Sequence, residues 1–159
     1  MTKRIARALC GIIRRAASDE RGTQLVELSL VLPVMILLFA SVAEFGRFFY
    51  TYSTLAKAAR GAARYATTRP FDASDTAQAQ SLAVYGDPGA NCSGTAILQG
   101  LTCGNVNIQL ATNAGAQVVT ARVTGYQYQP IFDLGKLTGI TSLSLKINVS
   151  PSVTMKYVY

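Results

Sequence analysis

From Leu28 to Ala43 the chain runs LSLVLPVMILLFASVA, sixteen residues without a charge. Such a segment is stable as a helix in one of two surroundings, the core of a soluble protein or a lipid bilayer. Sixteen residues fall short of the roughly 20 that a crossing helix needs. Thr23–Glu27 on one side and the apolar Phe45, Phe48, Phe49 and Tyr50 on the other supply the missing length. Tyr50 and Tyr52 would then mark the outer interface, where amphipathic rings settle. What precedes the run decides between the two surroundings. Lys3, Arg4, Arg7, Arg14, Arg15 and Arg21 oppose only Asp19 and Glu20, so residues 1–22 carry +4 of the chain's +7. Lys and Arg beside a span stay on the cytoplasmic side. A basic leader abutting an uncharged run favours the membrane over a soluble core.

Within the leader, residues 3–16 admit two readings. Ile5, Leu9, Ile12, Ile13 and Ala16 cluster at helical spacing, opposite Lys3, Arg7 and Arg14. This is either a surface-lying amphipathic helix or an unstructured leader whose charges only set topology. Cys10 has no apolar run before it, which argues against a lipid-modified cysteine and for a free thiol. With the basicity concentrated in the leader, no downstream region has the dense basic face that nucleic-acid binding needs, so no nucleic-acid partner is expected.

Pro33 interrupts the apolar run; it removes one backbone bond and clashes with the carbonyl of Ser29, so a kink or local unwinding is expected. Beyond Glu44 the helix is predicted to continue to Ala66 as an amphipathic stalk. Leu55, Ala58, Ala59, Ala62, Ala63 and Ala66 give it a small-residue surface, and Lys57, Arg60 and Arg64 line one face. A continuous helix from Thr23 to Tyr65 would be about 65 Å long, more than a bilayer's thickness. Arg69-Pro70 should end it, because a residue before proline avoids helical angles.

A second helix is predicted over Asp75–Tyr85, stopped by Gly86-Asp87-Pro88-Gly89. The turn-rich stretch that follows holds Cys92 and Cys103. An even pair in an exported domain reads as a disulfide, with two unpaired thiols as the alternative. The last third alternates as strands do. Val106, Ile108 and Leu110 share one parity, as do Val119, Ala121 and Val123. Gly125 then shifts Tyr126 and Tyr128 to the other parity, which predicts a bulge or bend. From Leu143 through Leu145, Ile147, Val149, Val153, Met155 and Tyr157 the parity is retained across Pro151. One long bent strand over 142–159 is therefore expected, with Pro151 at a sheet edge. The fold class is α+β: a long N-terminal membrane-spanning helix continues into a stalk packed on a small antiparallel β-sheet.

The residues with most to say about function are Gly22-Thr23-Gln24-Leu25-Val26-Glu27, directly before the apolar run. A carboxylate at the head of a membrane helix is costly and persists where something pairs with it. Cutting after Gly22 would give Thr23 a free amine and make Glu27 the fifth residue of the mature chain. In a bundle of subunits, Glu27 of one copy would neutralise that amine on a neighbour, so the desolvation cost falls only on an undocked subunit.

These residues resemble the TadE-like minor pilins, or pseudopilins, of the tight-adherence (Flp) type IV pilus. The resemblance covers Arg21 to Ala66. It rests on Gly22 and Glu27, on Leu32-Pro33, on Glu44-Phe45-Gly46-Arg47, and on Ala58-Ala59-Arg60-Gly61-Ala62-Ala63-Arg64-Tyr65-Ala66. It implies prepilin cleavage between Gly22 and Thr23 by a dedicated aspartic peptidase, with Glu27 as the assembly carboxylate. The partners implied are other pilin subunits, the prepilin peptidase, an inner-membrane assembly platform and membrane lipids; the role implied is pilus biogenesis and surface adherence. The implied location is the bacterial inner membrane in a single pass, N-terminus cytoplasmic and C-terminal domain outside, with incorporation into a surface filament. Two departures stand out. The mature chain would begin with Thr23 rather than an aromatic residue. A sizeable domain also follows the helix, which suits a minor subunit better than the bulk of a filament.

The expected organisation is a leader at 1–22 that is cleaved, a transmembrane helix at 23–50, an extracytoplasmic stalk at 51–68 and an exported α+β domain at 69–159. One alternative is an uncleaved single-pass anchor displaying an adhesive or structural domain. Another is a secreted soluble protein cut after Ser41-Val42-Ala43. Enzyme chemistry finds no support. The chain has no His, so its serines and cysteines lack the usual base. Asp72, Asp75 and Asp87 lack the spacing of a Ca²⁺ loop and read as solvated loop charges. Gly86–Gly94, GDPGANCSG, lacks the Lys-Ser/Thr ending of a phosphate loop. No catalytic residue, metal ligand or cofactor is expected.

Overall fold

The computed structural model describes residues 20–133, 139 and 144–159; the expected amphipathic segment 3–16 and Cys10 lie outside them. Helix α1 spans Glu20–Thr67. It runs through Pro33 without interruption, so the expected local unwinding does not occur. Its hydroxyls turn inward to the backbone: Ser29 Oγ donates to the Val26 carbonyl (2.7 Å) and Ser41 Oγ to Leu37 (2.8 Å). Those bonds remove the cost of polar side chains in an apolar run. The chain divides into two compact units, residues 1–43 and 44–159. In the first, nearly every side chain from Thr23 to Ala43 is exposed.

In the second unit, α1 buries one face. Glu44, Thr51, Leu55, Ala59, Ala62, Ala63 and Ala66 are buried, with Phe48 packed against the core. The helix ends at Thr67, two residues before Arg69-Pro70. The hydroxyls of Thr67 and Thr68 donate back to the carbonyls of Arg64 and Tyr65. Helix α2 spans Ala73–Tyr85, starting two residues before the sequence-based expectation. The reason is its cap: Asp72 accepts the N–H of Asp75 at 2.7 Å. That bond, then the one from Ser74 Oγ, holds the Asp72 carboxyl below its ordinary range. Gly86 closes α2 with φ +76°, donating to the Leu82 carbonyl (2.9 Å), a left-handed position that glycine adopts freely.

The strands are β1 Val106–Asn113, β2 Ala116–Val123, β3 Tyr126–Gln127, β4 Asn148–Val149 and β5 Ser152–Lys156. They form an antiparallel sheet of order β1-β2-β5 and a separate pair, β3-β4. Ala114 and Gly115, both at positive φ, make the two-residue β1–β2 turn. The expected bend at Gly125 is present: φ is +70°, and the chain leaves the larger sheet there to begin β3. The expected single strand over 142–159 is instead two. Residues 142 and 143 lie outside the described residues, and Ser150-Pro151 separates β4 from β5, one in each sheet. Pro151 is buried, and its carbonyl accepts the Val123 N–H at 3.0 Å. The shared parity survives only in part. Val149 is buried and Val153, Met155 and Tyr157 pack against the core, but Leu145 and Ile147 are exposed.

The core is therefore an alanine-rich helix face, the Ala79–Val84 face of α2, and the inward side chains of both sheets: Val106, Ile108, Val119, Ala121, Val123, Tyr126, Tyr128 and Val149. Alanines on α1 let the sheet approach closely, which the bulk of valine, tyrosine and Leu55 then fills. The α+β class expected from sequence, a long apolar helix and a small antiparallel sheet, is the architecture observed.

Candidate functional site

Gly22 and Thr23 lie in the first turn of α1, which starts at Glu20. Glu27 is one turn further on, its side chain exposed and without a hydrogen bond or ion pair among the described residues. After it come the large side chains from Leu28 to Val42, among them Leu30 (71% exposed) and Phe39 (67%), which no described residue of the first unit covers. One helix among the described residues, Gly22–Thr67, is long and apolar enough to cross a membrane.

A second feature was not anticipated. Glu44, the first charge after the apolar run, is buried. Tyr128 Oη donates to Glu44 Oε1 at 2.5 Å, and the Ile131 N–H lies 3.3 Å from both carboxylate oxygens. Phe48, one turn along α1, meets the Tyr128 ring edge-on with centroids 5.4 Å apart. Burial first, then the hydrogen bond to Glu44 and its negative charge, pushes the Tyr128 hydroxyl up to about 12; Arg47 acts weakly in the other direction. The result is a carboxylate on the helix that holds the segment following strand β3, from Tyr128 to Ile131. The sequence did carry a signal. Glu44 shares a helical face with Phe48, Thr51, Leu55, Ala59 and Ala62, each three or four residues after the one before. A carboxylate in register with the buried face needs a partner.

Cys92 and Cys103 are joined by a disulfide with Cα atoms 6.0 Å apart. The loop it closes is also tied to α2. Tyr85 Oη donates to the Cys92 carbonyl (3.0 Å), the Cys92 N–H to Ser81 Oγ (3.3 Å) and the Ile97 N–H to Val84 (2.8 Å). The three aspartates read as solvated loop charges have local work. Asp72 caps α2, Asp87 accepts the Gly89 N–H at 2.8 Å, and Asp75, largely buried, lies 3.6 Å from Arg69. Arg69 in turn stacks on Tyr65, 4.5 Å from the ring centroid. Among the described residues no three Cys, Asp or Glu side chains are grouped to hold a metal.

The family model described as TadE-like protein matches residues 22–64. The chain carries a TadE-like segment. The match starts at Gly22 and ends within the buried part of α1, so it takes in Glu27, the apolar run and Glu44. It points to the Tad pilus system. No curated protein and no solved structure matches the chain.

Proposed function

We propose that the protein is a minor pilin or pseudopilin that takes part in assembling a Tad-type pilus used for surface adherence. The observation that carries this reading is the uncovered apolar helix headed by Gly22 and Glu27 within the TadE-like segment. Leu25 to Ala43 extends about 28 Å along a helix axis, close to the hydrocarbon thickness of a bilayer. On this reading the span is 23–50, with residues 45–50 in the outer interface, 51–68 as stalk and 69–159 as the exported domain. A prepilin peptidase cuts between Gly22 and Thr23 once the first turn opens. Glu27 then docks on the new amine of a neighbouring subunit, held by the assembly platform in the inner membrane.

The two residues should fail differently. Gly22→Val puts a branched side chain at the scissile bond and should leave a full-length precursor. Glu27→Ala makes the helix more apolar, so it should still insert and be cut, yet fail to assemble. Immunoblots for precursor and mature bands, beside counts of surface pili, separate the outcomes. Normal pili from Glu27→Ala would show the pairing to be wrong. A second reading, an uncleaved anchor, is favoured by one observation: α1 already includes Glu20 and Arg21, so the Gly22–Thr23 bond is helical. Met1 at the N-terminus of membrane-extracted protein would select that reading, and Thr23 the first.

A further inference from the structure

Two segments of the second unit converge on the level of Glu44. From Tyr126 the chain runs through Tyr128, whose hydroxyl reaches Glu44, to Ile131, whose N–H does the same. The opposing segment is antiparallel: Val149 faces Tyr126, and the Ile147 carbonyl accepts the Tyr128 N–H at 2.9 Å. Going from Val149 back to Leu145 therefore leads in the same direction, towards Glu44. Ser144 Oγ donates to Asp133 Oδ2 (3.2 Å), joining the two segments beyond that point.

Here the domain exposes what it buries elsewhere. Ile131 is 64% exposed, and Phe132, Leu145 and Ile147 are exposed as well, while α1 exposes Phe45 and Phe49 within five residues of Glu44. In these two segments the only carboxylate, Asp133, is buried, and the exposed charge is Lys146; Arg47 on α1 is exposed as well. A surface that is apolar, rimmed by cations and free of exposed acids suits the boundary between acyl chains and anionic headgroups. Its helix residue Phe45 lies two positions after Ala43, the end of the uncharged run, where a spanning helix would leave the hydrocarbon.

We infer that residues 130–133 and 144–147, with Phe45 and Phe49, form a membrane-docking base that seats the exported domain in the outer leaflet of the bilayer that α1 crosses. This rests on the proposed anchor. Glu44 gives the base its rigidity, because its bonds to Tyr128 and Ile131 fix the first segment to the helix.

The chain has no Trp, so single tryptophans report without background. The full chain is reconstituted in vesicles of phosphatidylethanolamine and phosphatidylglycerol, with or without bromine on the acyl chains. Phe132→Trp probes the base and Phe39→Trp the span. Val158→Trp probes the other end of the domain: the Val158 N–H bonds the Thr67 carbonyl, 23 residues and about 34 Å along the helix from Glu44. The expected result is blue-shifted emission at 39 and 132, largely lost with brominated lipid, and red-shifted, unquenched emission at 158. Quenching at 39 but not at 132 overturns the docking base and leaves the anchor standing. Blue-shifted but unquenched emission at 132 overturns it too, since protein and not lipid then covers the surface. Quenching at all three sites means the domain lies on its side, which also overturns it. No quenching at 39 removes the anchor itself.

Discussion

At the scale of single residues, Glu44 ties α1 to the segment that follows β3. Its carboxylate accepts from Tyr128 Oη and the Ile131 amide in a buried place. Glu44→Ala leaves both donors without an acceptor and should destabilise the domain by about 3 kcal/mol. Glu44→Gln keeps an acceptor and loses only the charge, so about 1 kcal/mol is expected. Denaturant unfolding of the full chain in detergent micelles ranks the two; equal losses would contradict the hydrogen-bond account. The pH dependence has a definite sign. Tyr128 is held up at about 12, so between the unfolded value near 10 and that point the native state keeps a proton the unfolded chain has lost. The contribution is complete below about pH 10 and falls away as pH rises towards 12, a loss on the order of 2 kcal/mol. Tyrosinate absorbance should show late-titrating residues among the eight tyrosines, Tyr126 also being raised by burial, and Tyr128→Phe should remove the latest. The sequence made Glu44 legible as part of a motif but not as a hydrogen-bond acceptor. Tyr128 lies 84 residues away, and no local pattern announces so distant a pairing.

At the scale of elements, what depends on neighbours in sequence could be read and what depends on distant partners could not. The apolar run, the alanine face of α1 and the alternation of β1 and β2 follow from periodicity alone. The end of α1 moved by one residue from the expected Ala66, and the start of α2 by two from the expected Asp75. Threonine hydroxyls and the Asp72 cap set those ends, whereas proline and the apolar pattern had suggested others. The last segment kept its parity only in part and split between two sheets, because Val149 pairs with Tyr126 while Ser152 pairs with Arg122 on a different strand. The loop from Gly86 to Thr102 is a different case. It has few apolar side chains, Leu101 being a buried exception, and depends on its ties to α2 and on the Cys92–Cys103 disulfide. Closing a loop of this size is worth about 3 kcal/mol in the chain-entropy account. Cys103→Ser should therefore lower stability by about that amount and make the loop the first place a protease cuts. Peptide mapping of wild-type protein without reductant should recover the two cysteines in one linked peptide. Free thiols at both positions would remove the basis for this prediction.

At the scale of the whole chain, charge, redox chemistry and the membrane bear on one question, which side each end occupies. The leader carries most of the net charge, and cations beside a first span hold that end in the cytoplasm. A disulfide persists best where the compartment oxidises, so the proposed topology expects residues 92 and 103 on the other side. Neither argument depends on the other, so together they make a prediction with two readouts. A reporter active only in the cytoplasm, fused after Tyr159, should be silent, and one active only outside should work. Changing Arg14, Arg15 and Arg21 to glutamate reverses the charge beside the span and should invert part of the population. In the inverted molecules the cytoplasmic reporter should become active and Cys92 and Cys103 should be found as thiols. If topology inverts but the disulfide stays, the bond does not depend on export. If the wild-type chain already activates the cytoplasmic reporter, the domain is not exported, and neither the pilus reading nor the membrane-docking base survives.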